Sequence, residues 1–263
     1  MLTKSLHAPE RAYLVLATER SGSTLLCEAL RQTGVAGRPL EHFEVLEPTS
    51  LPRQPREYFH GIKDPEILSL LPPLQRGSPG VELPAEWWAR IVREGTGGNG
   101  VWGGKLMWGH TRDLLHRTRR LDGLADADLA TTLRRLLRDP ALIFVVREDK
   151  VAQAVSLWRA VQTQTWRGSA AADQSVYRFG AINHLRKQLQ VDEAEWRAWL
   201  ASNSLHHYEV RYSELAADPA VVVGGVLRFL GLPSEALAQP PLERQADSRS
   251  VQWAQRYVEE CAS

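Results

Sequence analysis

The stretch that decides the fold is RAYLVLATERSGSTLLCEAL, residues 11–30. Residues 13–17 form an apolar run of strand length, and apolar residues within 25–30 recur with the spacing of one helix face. Between them lies a small polar turn with one glycine, Gly22. This order predicts an anion site, because glycine lets the backbone approach a ligand closely and the free N–H groups at a helix start attract negative charge. The hydroxyl groups of the turn belong to Ser21, Ser23 and Thr24.

The turn differs from the common loop of nucleoside triphosphate enzymes, G-x-x-x-x-G-K-[ST], in the position of its cation. Ala17 stands where the first glycine of that pattern belongs, and Ser23 stands in place of its lysine; only Gly22 and Thr24 match. The cation is Arg20, inside the turn. Its planar guanidinium can bind two oxygens of a phosphate or sulfate without a bridging magnesium ion. An ordinary strand–helix turn with an incidental arginine is the alternative, but the dense hydroxyl groups favour the anion site.

Composition and charge narrow the class of protein. The 263 residues include 32 Lys and Arg against 31 Asp and Glu, whereas nucleic-acid binders usually carry a basic excess. No apolar run approaches the roughly 18 residues of a membrane span, and the N-terminus lacks the apolar core of a signal peptide. Cys27 and Cys261 are too few for a disulfide framework, and no Cys/His cluster has the spacing of a metal site. We therefore expect a cytoplasmic protein with no nucleic-acid partner, membrane span or metal.

Apolar strands alternate with helices along the rest of the chain. Strands are predicted at 101–108, 141–146 and 206–212, and helices near 84–93, 111–121, 127–137, 151–161, 175–200, 219–230 and 250–260. The proline-rich residues 48–84 read as an irregular excursion that shapes a pocket or serves as a spacer, with one short helix near 67–71. We expect one domain over residues 1–263, an α/β fold with a P-loop-type parallel sheet flanked by helices on both faces.

Several motifs point to a family. RSGST at 20–24 resembles the 5′-phosphosulfate loop of sulfotransferases that use 3′-phosphoadenosine 5′-phosphosulfate (PAPS), where the cation is usually lysine. Four further stretches narrow the resemblance: TGVAG at 33–37, VWGGKLMW at 101–108, SLWRAVQT at 156–163 and LERQAD at 242–247. Together they resemble the bacterial PAPS-dependent carbohydrate sulfotransferase family over nearly the whole chain. The resemblance implies PAPS as co-substrate, trehalose or a related glucose-containing saccharide as acceptor, and a homodimer.

The resemblance also implies the donor-binding residues. The loop at 20–24 takes the 5′ side of PAPS. Arg147, at the end of a buried strand, and Ser156 match the paired arginine and serine that hold the 3′-phosphate. A salt bridge of Arg147 with Glu148 or Asp149 is the alternative role, although a buried strand rarely ends in arginine without a partner for the charge. The alternative for Ser156 is a structural role, in which its buried hydroxyl forms a hydrogen bond within its own helix.

Two later segments complete the implied donor site. Tyr212, at a strand end, corresponds to a position that lies beside the adenosine in these enzymes. Arg244 and Gln245 belong to a late loop that closes over the 3′-phosphate in related folds, and only Arg244 keeps a charge there.

Arg20 and Lys105 are the cations expected at the transferring group. Lys105 lies within an apolar strand, where a lysine is costly unless its ammonium finds an anion. The family resemblance implies contact with the sulfuryl group, and a strand-end lysine that reaches solvent is the alternative.

Glu41 is the predicted general base. The resemblance implies this role through the pattern Gly-x-Pro-x-Glu-x-Phe, which residues 37–43 match. A carboxylate beside a sugar hydroxyl can orient that hydroxyl and take its proton as the new bond forms. His42 and Glu44 are close rivals, and a histidine has the better ordinary pKa for a base near neutrality. The residue-by-residue match favours Glu41.

Nine tryptophans are many for a chain of this length. Most are expected to fill the core or an interface, and a minority to provide platforms for sugar rings. The candidate platforms are Trp102, Trp108, Trp158 and Trp166.

Three other functions remain open from the sequence. An ATP-dependent small-molecule kinase would share the architecture, but Ser23 replaces its lysine and the strand at 142–146 ends in Arg147 rather than an aspartate for magnesium. A non-catalytic nucleotide or sugar-binding protein would need no placed carboxylate. A sulfotransferase for a non-sugar hydroxylated metabolite would use the same donor site.

Overall fold

A parallel sheet whose strands alternate with helices forms the centre of the structure, a computed structural model that describes residues 8–166, 174–234 and 248–262. Its strands are β1 (Arg11–Ala17), β2 (Val45–Leu46), β3 (Leu51–Pro52), β4 (Val101–Met107), β5 (Ala141–Val146) and β6 (His207–Arg211). The helices are α1 (Ser23–Gln32), α2 (Pro65–Ser69), α3 (Pro84–Gly95), α4 (Thr111–Thr118), α5 (Leu129–Leu137), α6 (Lys150–Thr163), α7 (Phe179–Ser202), α8 (Tyr212–Ala217), α9 (Pro219–Phe229) and α10 (Ser248–Ala262), with 3₁₀ helices at Pro55–Phe59 and Trp108–His110.

The main sheet has the strand order β4-β1-β5-β6. All of its neighbouring strands run parallel. Because all four strands run in the same direction, their carboxyl ends lie at one edge of the sheet. Open α/β sheets bind ligands at this edge. The short β2 and β3 form a separate antiparallel pair.

Both faces of the sheet are covered, which explains why its central strands β1 and β5 are nearly continuous apolar runs. Successive side chains of β1 point to opposite faces. Leu14 and Leu16 pack into a cluster with α3, α5 and α7, whereas Tyr13 and Val15 pack against α1 and α9. These four side chains are at most 1% exposed. The predicted α/β fold, a parallel sheet between two helical layers, is therefore confirmed.

A third apolar cluster joins α6, α7 and α10 beside the sheet, with Trp158 and Tyr257 among its members. Arg186 of α7 donates from Nε to Oη of Tyr257 (2.8 Å), and that hydroxyl donates to Oδ1 of Asn183 (2.8 Å). These contacts hold α10 against α7, and other residues of α10 line the cavity described below.

The predicted elements agree with the structure most closely in the buried strands. The strand at 141–146 has its predicted bounds, and the strand at 101–108 ends one residue early. The antiparallel pair of β2 and β3 and the 3₁₀ helix at Pro55–Phe59 were not predicted, and the short helix begins at Pro65, where the Asp64 carboxylate accepts from the N–H groups of the first turn. The excursion at 48–84 lines the cavity described below, which favours the pocket over the spacer, the two roles left open by the sequence. Within the described residues, no helix is long and apolar enough to cross a membrane.

Candidate active site

A cavity of about 1010 Å³ opens at the carboxyl edge of the sheet. Each parallel strand delivers a residue to its wall: Arg20 follows β1, His110 follows β4, Arg147 follows β5 and Tyr212 follows β6. The excursion forms another part of the wall through residues 51–55, Tyr58, Pro72, Pro73 and Gln75. The volume is at the upper end of the range for small-molecule sites.

The turn after β1 has the conformation of an anion-binding loop. Gly22 lies in the left-handed region (φ 94°), and a Cβ there would lie 2.5 Å from Cδ2 of Tyr212, so only glycine fits. Gly22 is also the N-cap of α1 and supplies no side-chain cap. The first N–H groups of α1 therefore lack a side-chain acceptor, and Ser23 and Thr24 line the cavity.

The Arg20 guanidinium donates to two neutral acceptors beside the cavity. Its Nε donates to Oγ of Ser156 (2.9 Å) and its Nη1 donates to the carbonyl of Trp166 (2.7 Å). Burial, reinforced by the nearby cations Arg147 and Arg159, lowers the pKa of Arg20 to about 10. Clustered, partly desolvated guanidinium groups favour an anion between them.

Arg147 extends this positive wall from the end of β5. Its Nη1 donates to the carbonyl of Arg20 (3.1 Å), and its guanidinium lies 4.4 Å from the ring centroid of Tyr212. Burial lowers its pKa, and its Nε is a buried donor with no hydrogen-bond partner. The carboxylates proposed as alternative partners are engaged elsewhere: Glu148 accepts from Ser213 (2.7 Å) and Asp149 caps α6 through the N–H of Ala152 (2.8 Å). Arg147 is thus available to a ligand in the cavity.

Ser21 is the one member of the predicted loop that does not reach the cavity. Its side chain is 0% exposed, and its buried hydroxyl has no hydrogen-bond partner. It does not belong to the cavity wall formed by Arg20 and residues 22–24. The prediction of a donor contact through the Ser21 side chain is therefore corrected: this side chain faces the protein interior.

The second half of the site is a carboxylate–ammonium pair. Lys105 in β4 is 4% exposed, and its Nζ forms an ion pair with Oε2 of Glu41 (2.7 Å) and donates to Oγ1 of Thr24 (3.2 Å). The Lys105 backbone N–H donates to the carbonyl of Leu40 (2.9 Å), which fixes Glu41 beside the strand. Gly37 permits this return, because a Cβ there would lie 2.4 Å from the carbonyl oxygen of Val101. Lys105 therefore finds its anion in Glu41 instead of reaching solvent.

His42 and Glu44, the other candidates for the general base, lie in different places from Glu41. His42 turns away from the cavity: its ring stacks on Trp102 at 5.6 Å, and its Nε2 lies 3.3 Å from the carbonyl oxygens of Arg38 and Gly103. Burial lowers the pKa of His42. Glu44 lines the cavity as an exposed residue. The structure thus brings Glu41, and not His42, to the cavity beside the turn that follows β1.

The predicted tryptophan platforms are corrected at three of four positions. Trp102 and Trp158 are 0% exposed core residues whose indole N–H groups donate to the carbonyls of Ile91 and Val176. Trp108 packs edge-on against Trp196 (4.8 Å) and lies outside the cavity wall. A buried ring has no face free for a sugar. Only Trp166 lines the cavity, beside Tyr58 at a centroid distance of 6.2 Å.

The sequence analysis missed several polar residues in and under the cavity wall, among them His110, Glu19, Arg53 and Gln153. His110 and Glu19 are 4% and 7% exposed cavity residues, and Glu19 pairs with Arg53 across the cavity wall (3.4 Å). Gln153, fully buried, donates to Oγ1 of Thr18 (2.9 Å) and to the Glu19 carbonyl (2.7 Å), which supports the turn from below. His110 and Glu19 follow strand ends, and this position in the sequence could have indicated them as site residues. No comparable sequence pattern marks Arg53 or Gln153.

Arg244 and Gln245, predicted to close over the donor, lie outside the described residues.

A parallel α/β sheet with an arginine-bearing anion loop, a second buried arginine and a carboxylate in the same cavity is typical of an enzyme that transfers an anionic group. Residues 12–260 match the sequence model of the Stf0 sulphotransferase family. The chain therefore belongs to the Stf0 sulfotransferase family, which confirms the predicted resemblance and does not favour the kinase or a non-catalytic binding protein.

Two relatives are similar along nearly their whole length. The chain is 44% identical over 251 residues to a trehalose 2-sulfotransferase of Mycobacterium tuberculosis (strain ATCC 35801 / TMC 107 / Erdman), and 45% identical over 250 residues to a trehalose 2-sulfotransferase of Mycolicibacterium smegmatis. Each alignment covers 94% of this chain and 94% of the relative. Among solved structures, a sulfotransferase from Alicyclobacillus acidocaldarius matches with a TM-score of 0.46 and 12% identity, over 95% of this chain and 96% of that chain.

Proposed function

We propose that the protein transfers the sulfuryl group of PAPS to a hydroxyl of trehalose or a related glucose-containing saccharide, in line and with Glu41 as the general base. The family supports sulfotransferase chemistry. The names of the two mycobacterial relatives support the sugar.

One observation carries the proposal: Lys105 joins the two halves of the site. Its Nζ lies 3.2 Å from Oγ1 of Thr24 in the donor loop and 2.7 Å from Oε2 of Glu41. A sulfuryl group held at the loop is therefore within reach of a cation and a carboxylate at once. In-line transfer needs this arrangement, with donor anion, charge stabiliser and base around one point.

The residues present fit PAPS. Arg20 and the N-terminus of α1, which has no side-chain cap, suit the 5′-phosphosulfate. Ser23 and Thr24 add hydroxyl donors. Arg147 has an unpartnered buried Nε and suits the 3′-phosphate. Ser156, through its hydrogen bond to Arg20, links the two anion positions. The ring of Tyr212, beneath the Arg147 guanidinium, offers a face to the adenosine.

The transfer step assigns one task to each side chain. PAPS supplies the sulfuryl group when bound. Glu41 accepts the proton of the acceptor hydroxyl while that oxygen forms a new S–O bond. The old bond between sulfur and the phosphate oxygen breaks, and its electron pair stays on that oxygen of 3′,5′-adenosine bisphosphate. Arg20 stabilises the charge on this leaving oxygen, and Lys105 stabilises the equatorial oxygens of the sulfuryl group.

The test is a direct search for product. The purified protein is incubated with PAPS and trehalose, and the sugar is examined by mass spectrometry for the gain of one sulfo group. We expect sulfated trehalose together with an equal amount of 3′,5′-adenosine bisphosphate. Release of the bisphosphate with no sulfated sugar in a panel of saccharides would contradict a sugar acceptor and would favour a non-sugar hydroxylated metabolite in its place.

A thermal-shift measurement separates the donor classes. We expect 3′,5′-adenosine bisphosphate to stabilise the protein without magnesium and Mg·ATP to have little effect. The reverse result would contradict PAPS as the donor.

Three proposals concern the context of the enzyme. It acts as a homodimer, in the cytoplasm, with residues 1–263 as one sulfotransferase domain. Light scattering of the purified protein tests the first, cell fractionation the second and limited proteolysis the third.

A further inference from the structure

His110 is a buried cavity residue with an unsatisfied ring nitrogen. It ends the 3₁₀ helix that follows β4, and it is 4% exposed. Its Nδ1 is buried and has no hydrogen-bond partner. Buried polar atoms of native proteins are nearly always paired, so an unpaired one beside a cavity calls for an explanation.

The carboxylate of Glu41 lies beside this nitrogen. Nδ1 of His110 lies 3.9 Å from Oε1 of Glu41, while the other oxygen of that carboxylate holds Lys105 at 2.7 Å. A distance of 3.9 Å is too long for a hydrogen bond. An approach of roughly 1 Å would make one, and contacts of this kind in ligand-free sites often tighten only when substrate is bound.

We propose that His110 is a positioning residue for the general base: its Nδ1–H donates to Oε1 of Glu41 during transfer and aims the other oxygen at the acceptor hydroxyl. This inference rests on the proposed function, in which Glu41 is the base. Lys105 serves both Glu41 and the loop, through contacts of 2.7 Å and 3.2 Å. A hydrogen bond from His110 gives the carboxylate a second, neutral holding contact while the Lys105 ammonium also faces the sulfuryl oxygens.

The surroundings of the ring suit a neutral donor. Burial lowers the pKa of His110; Arg53 and Lys105 act in the same direction, and Glu41 and Glu19 oppose them. A neutral imidazole has one N–H and one bare nitrogen. With the proton on Nδ1, the ring donates to Oε1 of Glu41 and leaves Oε2 to face the acceptor hydroxyl.

Three substitutions at this position separate the two ring nitrogens. In His110→Asn the amide nitrogen takes the place of Nδ1, whereas in His110→Gln it takes the place of Nε2. We expect His110→Ala and His110→Gln to lower kcat on the order of 10- to 100-fold, with little change in the KM for PAPS or sugar. His110→Asn should restore most of kcat, and the three variants should unfold at similar temperatures.

A double-mutant cycle tests whether the effect passes through Glu41. His110→Ala is measured in the native protein and in Glu41→Gln, where the base is absent. We expect the loss to shrink to less than about threefold in the second background. An equal loss in both backgrounds, activity restored by His110→Gln but not by His110→Asn, or full activity of His110→Ala would each overturn the proposal.

The proposal and the proposed function fail in different ways. If native protein forms no sulfated product, or if Glu41→Gln keeps full activity, the proposed function fails first. If both of those tests succeed and the cycle shows no coupling, only the role of His110 fails. Should the alanine or glutamine variant not fold, ¹⁵N NMR of the native protein decides, with the His110 signal assigned from its loss in His110→Asn. An Nδ1–H tautomer in the ternary complex supports the role, and an Nε2–H tautomer overturns it.

Discussion

The contact between the donor loop and Tyr212 predicts a large cost for Gly22→Ala. Gly22 has φ 94°, and a Cβ there would lie 2.5 Å from Cδ2 and 3.1 Å from Cε2 of Tyr212. The left-handed backbone costs a non-glycine residue about 1–2 kcal/mol. Overpacking against a held ring adds about 1–3 kcal/mol. We therefore expect the free energy of unfolding to fall by about 2–5 kcal/mol.

Gly34→Ala is the matched control for this substitution. Gly34 has φ 71°, and a Cβ there meets nothing within 4 Å, so only the backbone term applies. We expect its cost to be about 1–2 kcal/mol. Urea unfolding followed by tryptophan fluorescence gives both values, and the difference between them isolates the contact with Tyr212.

Tyr212→Ala in the Gly22→Ala background should recover the steric part of the loss. Affinity for 3′,5′-adenosine bisphosphate should fall with Gly22→Ala and not with Gly34→Ala. Equal stability costs for the two glycine substitutions would refute the reasoning, because the ring would then not be held against the loop.

Further predictions concern three charged side chains. Arg20→Ala should weaken both donor binding and turnover, by roughly 100-fold in kcat/KM, because the charge-assisted contacts of one guanidinium are lost; a change confined to the sugar KM would contradict the loop assignment. Arg147→Ala should reduce the preference for donors with a 3′-phosphate by about tenfold or more in competition assays, and an unaltered preference would place that phosphate elsewhere. Burial, reinforced by Glu19, raises the pKa of Asp192 to about 7. The folded state binds the Asp192 proton more tightly than the unfolded state does, so protonation of Asp192 stabilises the fold. This contribution to the free energy of unfolding is complete below the ordinary Asp pKa of about 4 and is lost as pH rises through about 7. Asp192→Asn should flatten that slope in urea unfolding measured between about pH 4 and pH 8, and an unchanged slope would contradict the raised pKa.

Strands β1, β4 and β5 could be predicted because each is buried on both faces. Residues 141–146 are apolar without interruption, and the structure starts and ends β5 there. The arginine turn follows from local rules too, since strand, glycine and helix start are adjacent in the chain. The antiparallel pair of β2 and β3 was not predicted, because each strand has only two residues and a periodic pattern cannot appear over so short a length.

The site divides between positions fixed by topology and positions fixed by packing. Arg20, Lys105 and Arg147 lie on or just after parallel strands, and their meeting follows from the sheet order. The tryptophan assignments failed at Trp102 and Trp158 because sequence does not distinguish a ring in the core from a ring on a wall. Only the packed structure makes that distinction.

The inward turn of Ser21 has a related cause. Residues 18–22 form a tight turn in which neighbouring side chains diverge, and the Ser21 N–H lies 3.4 Å from the Thr18 carbonyl. Arg20, with φ 59°, points toward Ser156, while the adjacent Glu19 points toward Arg53. Left-handed backbone at a non-glycine residue is rarely foreseen from sequence, so the direction of each side chain in this loop was not predictable.

The central claim is that the carboxylate of Glu41 takes the proton of the acceptor hydroxyl while the loop holds the donor. The most direct measurement is the single-turnover rate of Glu41→Gln with saturating PAPS and sugar, alongside its affinity for 3′,5′-adenosine bisphosphate. The exposed Glu86→Gln is the control. The account predicts a rate lowered by roughly 100-fold or more, within the range for loss of a general base, with donor affinity within about threefold of the native protein. A native rate in Glu41→Gln, or a loss of donor affinity that accounts for the whole fall, would contradict it.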